Sequence, residues 1–267
     1  MEDEVFRSYQ LDKVSPHELL KHGHTEIMSK IFIENITPYV VERLASGVSN
    51  KFLVLELGGG TCYQSYYLKR SIKNGEIIAS DISPFVLSVS KNLSNFFKTS
   101  LDNFCACDAQ KLPFRENAFD IVFGTEFLHH CTSLYKAVQE IARVLRPSGL
   151  FLGIEPMCSR TSKPIIMFLS GARARTLHEH ITENRYTYSQ WKSAFEKADL
   201  DCSLSAIVDP KTYKMFIGKK CTPASFKGRY LIKYVYNKFL ALIPSAFRKN
   251  APNATLRIMA TKKRNKS

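Results

Sequence analysis

The chain reads as an α/β fold built on a parallel sheet flanked by helices, and three observations predict it. Phe52 to Leu55 is an uninterrupted apolar run, as in a strand buried on both faces, and it leads through Glu56-Leu57 into Gly58-Gly59-Gly60. A second short apolar run, Glu76 to Asp81, ends in an acid 21 residues after Gly60. From there to Ile154, short apolar runs alternate with segments whose apolar residues recur at helical spacing. Strand, glycine turn and helix form the first half of a nucleotide-binding βαβ unit.

Residues 1–48 precede the first strand and are expected to form a helical cap. Ser15-Pro16-His17-Glu18 is a helix start, with Ser15 as N-cap, Pro16 in the first turn and Glu18 three residues after the cap. Leu19, Leu20, Ile27, Ile31 and Phe32 would give that helix an apolar stripe, broken near His22-Gly23-His24, and a second helix is expected from Thr37 to Leu44. After the glycine turn, Cys62 to Arg70 reads as a helix.

Asp81 is placed to take both hydroxyls of a ribose, since a carboxylate accepts two hydrogen bonds at once. It could equally cap the helix that starts at Pro84. A third strand spans Phe104 to Cys107 and ends in Asp108-Ala109. A fourth runs Ile121 to Gly124 and is followed by Thr125-Glu126-Phe127-Leu128-His129-His130. Leu134, Ala137, Val138, Ile141, Val144 and Leu145 then mark a helix, which Arg146-Pro147-Ser148-Gly149 stops. A fifth strand, Leu150 to Ile154, ends at Glu155-Pro156.

Composition excludes several classes. At 267 residues and 45% hydrophobic, the chain can bury a large core. It has no apolar run long enough to span a bilayer, and its acidic start lacks the apolar region of a secretory signal. Seven cysteines without a CxxC pair point to reduced thiols and a cytoplasmic location. Cys105 and Cys107, expected on opposite strand faces, have too few neighbouring ligands for a metal, and none is expected. The net charge of +14 is unevenly placed: 15 of the 38 basic residues, and no acidic one, lie between Pro210 and Ser267. The first 209 residues hold 23 basic against 24 acidic residues, so the whole excess sits in the last fifth and predicts an acidic partner.

Together Glu56-Leu57-Gly58-Gly59-Gly60-Thr61, Asp81, Asp108-Ala109, Leu112-Pro113-Phe114, Phe119-Asp120, His129-His130, Arg143 to Pro147 and Glu155-Pro156 resemble the class I S-adenosylmethionine-dependent methyltransferases. Within that class they are similar to the branch holding the ubiquinone- and menaquinone-pathway and the sugar and natural-product methyltransferases. Two departures show: Cys62 stands for the usual third loop glycine, and Ser148-Gly149 for the usual Gly-Gly.

The resemblance implies a Rossmann-like sheet of seven strands with the last antiparallel, over residues 49–267. It implies S-adenosylmethionine as cofactor. Gly58 and Gly60 would let the backbone pass close to it, and Glu56 would meet its ammonium group. Asp81 would take the ribose hydroxyls and Ile82 would cover the adenine. Asp108 would accept from the adenine amino group, with the Ala109 amide nearby, and Thr125 would stand at the same edge. His129 is the best-placed base, with a structural role weighed against it.

Residues 157–190 are expected on the acceptor side, with Arg173, Arg175, His178, His180 and Arg185 facing an anionic or polyol acceptor or merely solvent. A helix from Tyr188, with Ser189 as N-cap, would lead to a sixth strand at Leu204 to Val208, and Thr255 to Thr261 would be the last strand. Residues 209–254 are then a basic, aromatic insertion in a hairpin that ordinarily needs two to five residues. Its centre, Arg229 to Ile243, would set Arg229, Lys233 and Asn237 on one helix side with Lys238 beside them. Docking on an anionic membrane ranks first, giving a peripheral membrane protein; a buried lid or homodimer contact ranks second, and nucleic acid third. The favoured activity is methyl transfer to a small-molecule or lipid-linked acceptor, preferably at oxygen. The alternatives are a tRNA or other RNA methyltransferase and a cofactor-binding regulator without transfer activity.

Overall fold

The computed structural model describes residues 13–16, 18, 23–45, 52–72, 75–157, 184, 186–208, 224–243 and 255–263. Ser15 and Glu18 make the expected reciprocal cap: the Ser15 amide and hydroxyl donate to Glu18 Oε2, and the Glu18 amide donates to Ser15 Oγ. Helices α1 (Gly23–Asn35) and α2 (Thr37–Ala45) follow. Next come β1 (Phe52–Glu56), α3 (Tyr63–Ser71), β2 (Gly75–Asp81), α4 (Pro84–Lys91), α5 (Ser94–Phe97), β3 (Asn103–Ala106) and β4 (Phe119–Thr125). Then come α6 (Leu134–Val144), β5 (Leu145–Pro156), α7 (Tyr188–Glu196), β6 (Leu200–Ile207), α8 (Ala224–Leu242) and β7 (Thr255–Lys262).

The seven strands form one sheet in the order β3-β2-β1-β4-β5-β7-β6. β1 pairs in parallel with β2 and β4, β2 with β3, and β4 with β5, while β7 runs antiparallel to both β5 and β6. The expected antiparallel last strand is therefore the wedge between β5 and β6. The chain order reverses between β1 and β4, the switch point at which open α/β sheets bind ligands outside the carboxyl ends of their strands.

Alternating strand residues feed two cores, as the pleat requires. Val54, Ile121, Phe123, Leu152 and Ile154 pack under Ile27, Ile31, Phe32, Ile36 and Val40 of the α1–α2 segment. Leu55, Val122 and Phe151 pack on the other face against Leu134, Val138 and Ile141 of α6 and Trp191 and Phe195 of α7. The N-terminal helices thus cover one face of the sheet.

Several boundaries differ from the sequence reading. α3 starts at Tyr63, because Cys62 adopts φ 53°, the left-handed conformation in which glycine is unstrained. Ser148 has φ 64°, so both departures from the glycine pattern keep a glycine-like backbone. The N-cap of α4 is Ser83, whose Oγ accepts from the Val86 amide, and Asp81 does not cap it. The N-cap of α7 is Thr187 rather than Ser189: Gln190 completes a capping box with it, which requires a cap three residues earlier. β6 begins at Leu200 and β5 at Leu145 because each gains ladder partners on a neighbouring strand. Cys105 and Cys107 are both half-buried, as residues two apart share a strand face. Asn237 is buried, so the helix side expected to hold it with Arg229 and Lys233 is turned to the protein at that position. The side chains of Arg229 and Lys233, and the cluster Arg173, Arg175, His178, His180 and Arg185, lie outside the described residues.

Candidate functional site

Five adjacent strand ends bring the predicted residues to one edge. Asp81 closes β2, Glu56 closes β1, Thr125 closes β4, Glu155 stands next to last in β5, and Asp108 follows β3 by two residues. The glycine turn lies over the switch point. The Leu57 amide donates to the Phe123 carbonyl (2.9 Å), and the Gly59 amide to the Ser80 carbonyl (2.9 Å), tying the turn to β4 and β2. Gly58 has φ +59°, and a Cβ there would fall 2.2 Å from Phe127 Cβ. Gly60 has φ +54°, and a Cβ there would meet nothing within 4 Å. The turn is closed against Phe127 at Gly58 and open to a ligand at Gly60.

Glu56 is fully buried at the floor of this turn. Its Oε2 accepts from Ser65 Oγ (2.5 Å), while Oε1 has no hydrogen-bond partner among the described residues. Burial pushes its carboxyl up to about 8, with nearby Asp81 adding to the rise and the Ser65 hydrogen bond opposing it. A buried orphan acceptor is costly unless something donates to it.

Asp81 is also buried. Its Oδ2 accepts from the Gly60 amide (2.8 Å) and its Oδ1 from the Ser83 amide (3.0 Å). Burial raises its carboxyl above the usual range, and these backbone donors counter part of the rise. Each oxygen keeps acceptor capacity after one such bond, so the group can still take two hydroxyls. Ile82 beside it is 47% exposed, an apolar side chain held out at the strand end.

The remaining predicted residues have local duties. Asp108 Oδ1 accepts from the Gln110 amide (2.8 Å), which shapes the loop after β3, and Ala109 lies half-buried within it. The Thr125 hydroxyl is held by Gln64 of α3, receiving from Nε2 (2.6 Å) and donating to Oε1 (2.9 Å). It therefore fastens β4 to the helix after the turn. His129 is buried, its Nδ1 2.7 Å from Glu155 Oε2. Glu155 Oε1 accepts from the amides of Phe127 (3.0 Å) and Leu128 (2.9 Å). One carboxylate thereby sets the post-β4 loop and through it the Phe127 ring against Gly58.

Sequence reasoning missed Ser65, Gln64 and Phe127 as parts of this edge. Ser65 and Gln64 fall within a helix whose register with Glu56 and Thr125 has no local signal. Glu155 was visible as a motif residue, but its three contacts were not. A cavity of about 330 Å³ lies farther along the same edge, lined by Glu34, Asn35, Ser205, Ile207 and Arg257. It adjoins β7 and β6, the nearer of which lies three strands, or about 14 Å at roughly 4.8 Å per strand, from β1, and so beyond direct contact with the turn.

The residues present fit the cofactor implied by the motif pattern. Glu56 Oε1 is a buried acceptor suited to an ammonium group, Gly60 leaves open space, and Asp81 suits vicinal hydroxyls. Among the described residues, no group of three or more His, Cys, Asp or Glu is arranged to hold a metal.

Residues 55–153 match the family model described as a methyltransferase domain. The chain is 31% identical over 154 residues to the ubiquinone/menaquinone biosynthesis C-methyltransferase UbiE of Cellvibrio japonicus, a match covering 57% of this chain and 58% of that protein. It is 32% identical over 171 residues to the protein of that name from Pectobacterium carotovorum subsp. carotovorum, covering 62% and 61%. The chain thus spans about six tenths of the length of these curated relatives. A putative sarcosine dimethylglycine methyltransferase from Galdieria sulphuraria shares the fold, with a TM-score of 0.61 at 16% identity over 85% of each chain.

Proposed function

We propose that this chain, whose residues 55–153 belong to the methyltransferase-domain family of class I S-adenosylmethionine-dependent enzymes, transfers a methyl group from S-adenosylmethionine to a small-molecule acceptor. The observation that carries the reading is the buried, half-partnered Glu56 beneath an open Gly60, with Asp81 beside them. Glu56 would accept from the cofactor's ammonium group, Asp81 would hold its ribose hydroxyls, and Ile82 and the Asp108-Ala109 loop would flank its adenine. Thr125, paired with Gln64, would keep α3 and β4 in register around it. When bound, S-adenosylmethionine supplies a methyl group already activated by a sulfonium centre. The protein's part is then to align the acceptor, exclude water and remove a proton.

The sequence pattern led to a preference for oxygen, whereas the curated relatives are C-methyltransferases by name and favour carbon. Either transfer releases a proton, and we assign its removal to His129. Pairing Nδ1–H with Glu155 makes Nε2 the basic nitrogen of the neutral ring. In this reading Glu155 is a positioning residue.

The test is uptake of labelled methyl groups by fractionated extracts. Label in a small-molecule or lipid fraction supports the proposal, label in tRNA supports the RNA alternative, and tight cofactor binding with no label anywhere supports the regulator. His129→Gln should lower kcat about 10²–10⁴-fold and remove the acidic limb of the pH profile, where protonation silences the base, with cofactor affinity unchanged. An unaltered pH profile would return His129 to a structural role.

A further inference from the structure

The long helix α8 lies in the hairpin between β6 and β7 and has two unlike faces. Leu240 and Asn237 are 2% and 7% exposed, so one face is seated on the protein. Leu231, Val235, Phe239 and Leu242 are 50%, 57%, 60% and 84% exposed. Their spacing of four, four and three residues places them on a single stripe of the helix. Among the described residues, the large exposed apolar side chains elsewhere, Ile33, Val41, Ile82, Phe96 and Tyr135, are scattered over separate elements and form no comparable row. A continuous solvent-facing apolar row on one helix indicates a surface that is covered in use.

Charge identifies what covers it. Lys238 is exposed beside Phe239. The helix carries no acidic residue, and by helical spacing positions 227 and 238, both lysine, fall on the side of the stripe, whereas positions 229 and 233 share the side of the seated Asn237. The surrounding residues 210–267 hold 15 basic and no acidic residues, while the rest of the chain is nearly balanced. A second copy of this chain would bring like charge against like charge. A nucleic acid would take the basic residues but gain little from aliphatic Leu231, Val235 and Leu242, which cannot stack on bases as aromatic rings do. An anionic bilayer satisfies both features, burying the stripe among acyl chains and meeting Lys238 and the basic excess of residues 210–267 with head-group phosphates. At 19 residues the helix is about 28 Å long, and no described helix is apolar enough to cross a membrane, so it would lie in the interface plane.

We propose that the Leu231–Val235–Phe239–Leu242 stripe of α8 docks the protein on anionic lipid bilayers. The inference is independent of the methyl-transfer reading, since its assay needs no turnover. The probe is flotation of the full chain with vesicles of phosphatidylcholine alone or with about a third phosphatidylglycerol. Binding is expected to the anionic vesicles, to weaken several-fold as salt is raised, and to be near background on neutral ones. Leu231→Ser/Val235→Ser/Phe239→Ser, all at exposed positions, should lower binding at least tenfold while the affinity for S-adenosylhomocysteine stays the same. Lys238→Gln, a milder change, should cost about fivefold and only on anionic vesicles. Should the triple variant misfold, Lys238→Gln and Leu242→Ser together carry the test. Equal flotation on both vesicle types, or flotation unaffected by these substitutions, would overturn the proposal. So would light scattering that shows the stripe variants turning a dimer into monomers without losing lipid binding, or a tRNA gel shift that they abolish while flotation persists.

Discussion

Glu56→Gln is the substitution that most directly interrogates the turn. The wild-type carboxyl, pushed up to about 8 by burial, is about nine-tenths protonated in the ligand-free protein at pH 7. A cation arriving at the orphaned Oε1 stabilises the charged form and expels that proton. The ligand's own amino group, with an ordinary pKa of roughly 8, is already largely charged at pH 7 and contributes little. Binding of S-adenosylhomocysteine should therefore release close to one proton at pH 7, and at pH 9, where the carboxyl is already ionised and the ligand's amino group is mostly neutral, it should take up close to one instead. Glutamine keeps an acceptor for Ser65 but offers an amide N–H₂ where the cation would sit. Loss of one charge-assisted hydrogen bond costs about 1.5–3 kcal/mol, or about 10- to 150-fold in Kd. Titration calorimetry in buffers of different protonation enthalpy measures both quantities together. If wild type and variant bind equally well with the same proton count, Glu56 does not meet a cation and the reading of the turn fails.

The same group predicts a pH dependence of stability. The carboxyl's folded pKa is raised from 4.5 to about 8, so the folded state holds a proton that the unfolded chain gives up across that window. The ligand-free protein should lose stability as pH rises from about 5 to 8, Asp81 contributing with the same sign, and urea titrations of Glu56→Gln should show a flatter profile. Gly58→Ala forces a left-handed alanine into Phe127 and should cost about 2–4 kcal/mol in unfolding free energy, with weaker ligand binding because the ring must shift. Asp120→Ala removes the acceptor of the Leu53 amide (2.9 Å) and the partner of Arg146 (2.7 Å). Chemical denaturation should show a loss of about 2 kcal/mol, while S-adenosylhomocysteine affinity changes less than twofold, because Asp120 lies near the opposite, amino-terminal edge of β4.

What the sequence determined by itself is whatever depends on near neighbours. Phe52 to Leu55 had to be a buried strand, the glycines had to be a turn, and the 21-residue interval from Gly60 to Asp81 is the length of one helix and one strand returning to the same edge. That interval closes in the 2.8 Å bond from the Gly60 amide to Asp81. Where several local solutions compete, the sequence was less decisive: Ser189 and Thr187 are both good caps, and only the reach of Gln190 separates them.

Tertiary structure decided the contacts between elements far apart in the chain. Glu155 gripping Phe127, Leu128 and His129 depends on the register of β4 with β5. Thr125 became a fastener because α3 carries Gln64 over β4. Asn237 turned inward, and an apolar row turned outward, because the seating of α8 on the core follows from packing rather than composition. Helical spacing says which residues of such a segment share a face, and only the surface it rests on says which face meets solvent. The donor end was therefore written in local pattern, since it is made by successive pieces of one βαβ unit, while the outward face of α8 was left for the assembled fold to choose.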